Sequence, residues 1–566
     1  MILIGGKFMN NLIVSLIFDN IMNLLKIKGA NNYKIIAYEK ASRLIRDLEI
    51  DVAELIKEDR LTEISGIGEG LAENIKEIVE TGTCQDYNDL AKEYPPTLIS
   101  LLKVSGVGVS KVKQFYSEIG IKDLESLKEE AQSGALSQLS GIGPKTEQKI
   151  LESVDKLLSE KNKLDLGEAA GLAYQLKDYI KGFKEVDSIE VVGAIRRREE
   201  IIDEIDLVIV TNDFEKTIKS LEKLPIISDV ARLDDEIILA DTKLGIGIKI
   251  FETDNSLFWQ KVFWSTGSKE YNQKLKEIIN DEIEDKIIGT FEDEQEIFKF
   301  IGLPYIIPEL RDDLESIDRA KNHNLPSSIE LKNIKGDLHM HSRWSDGRYT
   351  IEEMAQACQQ KGYEYMAICD HTQALTVANG LTPDRLKAQW EEIDKLNETL
   401  DITILKGAEV DILEDRLDYD DDILAQLDIV IASVHSGFNN SREKIMGRIM
   451  MALENPHVHI LAHPTGRLVL GRGAYNIDFE RLVHKAIETN TILEINASPK
   501  RLDLSHQQVK LAHQLGAKFI INTDAHKVKQ LNNMEFGVGV ARKGWLEKDD
   551  VINTLRVDEL KEFLAR

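Results

Sequence analysis

The chain has little cysteine: three residues in 566, Cys84, Cys358 and Cys369, widely spaced. That excludes a disulfide framework and an all-thiolate zinc site, and points to a reducing, cytoplasmic setting. Positive charge is also scarce. Lys and Arg number 71 against 98 Asp and Glu, a net charge of -27. Coating of nucleic acid or anionic membrane by bulk charge is thereby excluded, so any grip on a polyanion must be local. There is no long apolar run. The most apolar stretch, Asn11–Ile27, is interrupted by Asp19, Asn20 and Asn23 and is too short for a membrane span. It has no basic leader and no small-residue cleavage site, and its helical spacing suits a first core helix, with residues 1–8 an extension and Met9 a candidate start. Histidine is missing from the first half altogether: none of the twelve precedes His323.

What is present is the composition of an ordinary folded protein, 42% apolar and 30% charged. At roughly 100–200 residues per domain, the length predicts three to five domains. All histidines but one fall between His339 and His526, so the chain reads as two halves joined by the polar segment "HNLPSSIELKN". Beyond it, apolar runs alternate with amphipathic stretches: "IKGDLHMH", "YMAICDH", "ITILKGAEV", "IVIASVHS", "HILAHP", "ILEINA" and "KFIINTDAH". Seven strands joined by helices predict a parallel α/β barrel.

The strand ends carry His339 and His341, His371, Glu409, His435, His463, Asn496, then Asp524 and His526. The C-terminal strand ends of such a barrel form its active-site face. Residues i and i+2 of a strand share one side, so His339-x-His341 and Asp524-x-His526 each aim two donors at one centre. Asp346, in the "SDG" turn, reaches back over the mouth. His339, His341, Asp346, His371, Glu409, His435, His463, Asp524 and His526 are too many for one ion, so two or three are implied, with Glu409 as a bridge. Nitrogen and oxygen donors suit zinc, manganese or iron. Ions so grouped activate water and stabilise charge on a phosphate during in-line attack. A structural metal site and an inactive remnant are the alternatives.

"HMHSRWSDG", "DH", "GAEVD", "SVH", "AHP" and "TDAH" occur in the order of the PHP phosphoesterase domain, which residues 334–566 resemble. That resemblance implies a distorted (β/α)7 barrel and a centre of two or three manganese or zinc ions held by those nine residues. His339, His341, Glu409, Asp524 and His526 would stand at the chemistry. "INASPKRLDL" resembles the polymerase-linked subgroup and implies that Arg501 contacts substrate phosphate. His457, His459, His484, His506 and His513 lie outside the motifs and are expected in core or surface roles.

In the first half, "LTEISGIGEGLAENI", "LLKVSGVGVSKVKQF" and "LSQLSGIGPKTEQKI" repeat one frame, the helix-hairpin-helix signature. Gly66/Gly68, Gly106/Gly108 and Gly141/Gly143 permit a tight turn, after which a helix N-terminus offers N–H groups to a phosphate. This grip reads no base and needs little positive charge, so it suits DNA bound without sequence preference by an acidic chain. Plain packing hairpins are the alternative.

"VVGAIRRREEIIDEIDLVIV" then reads as strand, glycine turn, basic helix start and acidic strand, with Glu204 and Asp206 on one face. Such a face suits metal-dependent nucleotidyl transfer, with Arg196–Arg198 toward a triphosphate; exposed surface is the alternative. The order of parts resembles the bacterial family X DNA polymerases. "NNYKIIAYEKASRLI" is similar to the start of their small domain, "STGSKEYNQKL" to their nucleotide-binding thumb motif and "IIPELRDD" to their closing motif. The resemblance implies a multidomain fold. It comprises a small DNA-binding domain (9–90), fingers-like hairpins (91–165), an α+β palm (166–235), a thumb (236–318), a linker (319–333) and the PHP barrel (334–566). It implies nucleotide contacts from Gly193, Arg197, Thr266, Gly267 and Ser268, with magnesium or manganese at an active palm.

The sequence departs from that family at the palm. Ala194 stands where a serine is expected, Glu204 replaces the first aspartate, "GIGIKIF" carries no third acid, and Tyr271 replaces a histidine. Losing a carboxylate from a two-metal site costs several kcal/mol of transition-state stabilisation, on the order of powers of ten in rate. The expected protein is a monomeric DNA-repair enzyme acting on gapped, nicked or abasic DNA. It is expected to be a 3′–5′ exonuclease, acting also at abasic sites, with a degenerate polymerase site. The rivals are an active gap-filling polymerase binding dNTP, a small-molecule phosphatase and a non-enzymatic adaptor.

Overall fold

The computed structural model describes residues 9–48, 50–159, 162–224, 226–279 and 291–565. The extension expected over residues 1–8 lies outside them. The chain divides into two compact units. One runs to Lys163 and includes Ala170–Val191 and Asp203–Phe258; the other comprises Leu164–Ala169, Val192–Ile202 and Trp259–Arg566.

The first unit opens with α1 (Met9–Lys28) against α2 (Asn32–Asp47). Ile13, Val14, Ile17, Phe18, Ile21, Leu24 and Leu25 are buried at helical spacing, facing Ile35, Tyr38, Ala41 and Ile45. One polar interruption of the apolar run, Asp19, has partners here, as does Asn11 at its start. Asp19 accepts from Ser42 Oγ (2.6 Å) and pairs with Arg46, while buried Asn11 accepts from Val52 N (2.7 Å) and donates to Ile50 O (2.9 Å). No described helix is long and apolar enough to cross a membrane.

The three glycine turns share one geometry. The first glycine of each has positive φ: +106° at Gly66, +77° at Gly106 and +81° at Gly141. The second precedes α3 (Glu69–Thr81), α4 (Val109–Ile119) and α5 (Pro144–Ser159). A Cβ built at Gly68, Gly108 or Gly143 would meet nothing within 4 Å, so the space beside each of these glycines is open.

Next comes a five-stranded sheet: β1 (Val186–Val191), β2 (Glu204–Thr211), β3 (Ile227–Arg232), β4 (Ile237–Thr242) and β5 (Gly247–Glu252), in spatial order β1-β2-β5-β4-β3. Only the β2–β5 pairing is parallel. A palm boundary at residue 235 would cut this sheet between β3 and β4. The palm therefore extends through β5, because antiparallel pairing to β3 and β5 holds β4 in the same layer.

The second unit holds a seven-stranded, all-parallel sheet: β6 (Gly336–Met340), β7 (Tyr365–Ile368), β8 (Thr403–Asp411), β9 (Ile429–Ser433), β10 (Ile460–Leu461), β11 (Ile492–Asn496) and β12 (Phe519–Asn522). The strands follow chain order, and a bridge from Met340 to Ala525 brings the two edges together into a nearly closed barrel. Leu338, Ala367, Leu405, Ile431, Ile460, Ile492 and Ile520 form its core. Leu560 and Leu564, on the last helix, join that core, and Tyr365, at the start of β7, donates to Leu555 O. The last helix thus closes the end opposite the strand tips.

Thumb residues of this unit pack around buried Arg311. Its guanidinium lies 5.0–5.7 Å from the Phe298, Tyr305 and Phe263 ring centres and pairs with Glu294. Residues 319–333, expected as a free linker, are instead a packed strap. Ile329 is fully buried, its N–H donates to Leu546 O, and its carbonyl accepts from Arg542. The polar composition of this segment hid its apolar anchors, Ile329 and Ala320.

Candidate metal centre

The nine predicted donors gather at the strand tips. His339 lies at the penultimate position of β6 with His341 just beyond its end, and their rings lie 5.3 Å apart. Glu409, on β8, is at the hub. Its Oε2 lies 3.6 Å from Nε2 of both His339 and His341 and 2.8 Å from His371 Nδ1. Its Oε1 lies 3.3 Å from His435 Nε2 and 3.0 Å from His463 Nε2. Asp524 Oδ1 is 3.1 Å from His341 Nε2. Asp346 Oδ1 faces His526 Nε2 at 3.3 Å and His371 Nε2 at 3.7 Å. Three groups can each offer ligand atoms within 4.8 Å of one another: His341, Asp346, His371 and His526; His339, His341 and Glu409; His371, Glu409 and His435.

These side chains fit divalent cations. His339 Nε2, His341 Nδ1, His371 Nδ1, Glu409 Oε2 and His463 Nδ1 are buried with no hydrogen-bond partner. Buried polar atoms left bare are costly, so their convergence marks a place suited to a cation. The charges agree. Burial alone would raise Glu409, but His435, His371 and His339 hold it well below the usual carboxylate range. Burial opposes the charged form of His435, yet Glu409 and Asp411 push it up to about 10. Likewise Asp346 and Asp524 outweigh burial and push His526 up to about 9. Burial together with His526 and His371 drives His341 down to about 3. Adjacent groups whose proton affinities are forced apart in this way mark a candidate functional cluster.

Sequence reasoning missed the groups that aim these donors. Glu494, fully buried on β11, accepts from His339 Nδ1 (2.7 Å), His463 N (2.8 Å) and Asn522 Nδ2 (3.0 Å). Asp411 holds His435 Nδ1 at 3.0 Å. Asp370 accepts from Ser342 N (2.8 Å), Ser342 Oγ (2.5 Å), Ser345 and Gln389, fixing the turn that carries Asp346. Carboxylates behind ligand histidines set tautomer and orientation. The sequence signal was a charge inside an otherwise apolar strand, Glu494 in "ILEIN". Asn496 also belongs to this outer layer, donating to Asp524 Oδ2 (3.2 Å).

The mouth is a pocket of about 270 Å³ lined by ligands, by Leu375, Val377 and Ala378, and by Arg501. Arg501 Nε lies 3.8 Å from Asp524 Oδ2 at this mouth.

The residues expected to serve nucleotide binding are differently engaged. Thr266 is fully buried, so it is not open to a nucleotide; its hydroxyl donates to Val262 O and accepts from Arg196. Arg197 donates to Thr266 O (2.8 Å), and Arg196 pairs with Glu294. Ser268 caps the following helix by accepting from Tyr271 N, and Tyr271 is buried in the thumb core. A Cβ on Gly267 would sit 2.2 Å from Asn272 Oδ1, so that glycine also serves close packing. Gly193 begins a one-turn helix with φ +63°. On the palm sheet, Glu204 pairs in register with Gly247 and Asp206 with Lys249. The strand expected to carry a third acid therefore presents a lysine beside Asp206.

Family comparisons agree with this division. Residues 337–498 match the PHP domain, residues 9–84 a helix-hairpin-helix domain, and residues 98–156 a SAM-like helix-hairpin-helix tandem. Over 572 residues the chain is 40% identical to the DNA polymerase/3′-5′ exonuclease PolX of Bacillus subtilis (strain 168), covering 97% of this chain and 98% of that protein. The chain belongs to the PolX family. Its barrel half alone is also similar to shorter proteins. A probable phosphatase of Thermoanaerobacter sp. (strain X514) is 31% identical over 241 residues, 40% of this chain and 93% of that one. A probable phosphatase of Syntrophotalea carbinolica is 28% identical over 229 residues, 38% of this chain and 90% of that one. PolX membership thus rests on the whole length, whereas the phosphatase likeness stops at the barrel.

Proposed function

We propose that this PolX-family chain is a DNA-repair nuclease. It removes nucleotides from 3′ ends at gaps and nicks and also acts at abasic sites, with polymerisation weak or lost. The observation that carries the reading is the convergence of nine nitrogen and oxygen donors, several buried and bare, on one open mouth.

His339, His341, Glu409 and Asp524 would hold one cation; His371, His435 and His463 would share Glu409 with a second; Asp346 and His526 would complete a third. Manganese or zinc fits these donors. Bound there, such ions supply a water of lowered pKa and neutralise charge on a phosphodiester. The chain's own residues do the rest. Glu494, Asp411 and Asp370 keep the donors aimed, and Arg501 orients the phosphate. Hydrolysis joins the water oxygen to phosphorus and breaks the P–O3′ bond. The departing 3′ oxygen takes a proton and a nucleoside monophosphate is released.

The hairpins would hold the DNA backbone through first-turn amides, without reading sequence, and the enzyme would act as a monomer. A second reading, gap filling with dNTP and palm-bound magnesium or manganese, is favoured by the name of the Bacillus relative. The lysine that β5 sets beside Asp206 and the burial of Thr266 argue against it. A small-molecule phosphatase would have no use for three hairpins.

The test is a manganese-supplemented digest of end-labelled gapped DNA, with and without nucleotides. Stepwise shortening from the 3′ end, with no extension, is expected. Robust extension with no shortening would overturn the reading.

A further inference from the structure

One loop beyond the pocket, the structure holds a cation that the centre does not use. Arg472 follows His463 by nine residues. Its Nε and Nη2 both donate to Gly466 O, at 3.1 and 2.8 Å. Its guanidinium carbon lies 3.6 Å from the ring centre of Phe438, three residues after His435. Phe438 in turn stacks on buried Tyr475, at 6.3 Å and 17°. The side chain is thus pinned to the two loops that leave His435 and His463. Gly466 is required there, since a Cβ would sit 2.2 Å from Tyr475 Cε1.

The same loop is tied to the loop of Arg501. Val469 N donates to Lys500 O (2.8 Å), and Leu468 N closes the turn onto Arg472 O (2.7 Å). Arg472 therefore stands near Arg501, which lines the pocket. Burial and the adjacent Arg501 both push the Arg472 guanidinium pKa down. Among the described residues no carboxylate lies within 4.0 Å of Arg472, although the chain has 98 of them. A fixed, half-buried arginine beside another arginine, with no carboxylate partner, leaves positive charge at this point that an anion would neutralise. Phosphodiester oxygens are the anions this mouth meets, and a guanidinium fork matches them.

We propose that Arg472 forms a second phosphate subsite, which binds the phosphodiester next to the one being cut. This rests on the nuclease reading above. A cut at a 3′ end leaves only one neighbouring phosphate, on the strand that is kept. Arg472 would therefore grip the retained strand, while Arg501 serves the scissile group. The ligand class is an oligonucleotide with at least two phosphodiesters, and the subsite makes the enzyme favour a polymer over a single-phosphate ester.

The test compares two substrates of the manganese-loaded full chain: a short single-stranded oligonucleotide, and the 4-nitrophenyl ester of thymidine 5′-monophosphate, which has no neighbouring phosphate. Arg472→Ala should lower kcat/KM on the oligonucleotide at least about tenfold more than on the ester, mainly through KM, with Arg472→Lys recovering part. In the wild type, an uncharged methylphosphonate at the linkage next to the cut should cost about tenfold, and in Arg472→Ala less than about threefold, because the two changes remove one interaction. Equal losses on both substrates, or an equal methylphosphonate penalty in both proteins, would overturn the subsite while leaving the nuclease reading intact. A wild type inactive on both substrates would overturn both.

Discussion

The barrel mouth and the palm sheet each present acids on strands, but only the mouth gathers imidazoles from several strands around them. At the mouth Glu409 is buried, faces five imidazoles and keeps an oxygen bare, and a further layer of carboxylates aims those imidazoles. On the palm, Glu204 and Asp206 stand half-buried beside Gly247 and Lys249. The difference lies in the surroundings rather than the acids. Donors become a metal site when several elements converge and leave atoms bare; two carboxylates on one strand do not achieve that alone.

The sharpest way to break this contrast is Glu409→Ala. It removes the hub shared by the ion positions, so turnover of labelled DNA should fall at least about 10³-fold, and metal content by elemental analysis should drop. Mobility-shift affinity for gapped DNA should stay near wild type, since the hairpins are untouched. Equal loss of binding and cutting would refute this division of labour. The palm offers a smaller, opposite effect. Glu204→Asp combined with Lys249→Asp supplies the missing acid and removes a like-signed competitor for the cation. Primer extension on gapped DNA should then rise about tenfold or more above the wild-type trace, as each restored charge contact is worth a few kcal/mol at most. No rise would mean that these two positions do not limit extension and that another feature, for instance the buried Thr266, does. The smallest effect tests the outer layer. Glu494→Gln keeps shape but removes the charge behind His339, and should weaken manganese affinity about 10- to 100-fold in a chelator competition. An unchanged affinity would reduce Glu494 to a packing group.

Much of this was legible in the residues. The nine donors could be read because strand period and strand ends concentrate metal-capable side chains at predictable places, as in His339-x-His341 and Asp524-x-His526. The hairpins could be read because three glycine pairs recur in one apolar frame. What stayed hidden depends on partners distant in sequence. Glu494 and Asp370 look like ordinary acids until His339, 155 residues before Glu494, and Ser342 come alongside. The palm boundary failed because β4 joins its sheet through long-range pairing, which local pattern does not reveal. Thr266 was misread because its motif fixes a helix turn but not how deeply that turn is packed.

The open glycines of the hairpins bear on how this molecule would tolerate its environment. A hold made from neutral amides displaces fewer condensed counterions than one made from lysines, so its strength declines gently as ionic strength rises. An enzyme this rich in acid would therefore stay seated on its template through an osmotic upshift that strips lysine-dependent competitors away.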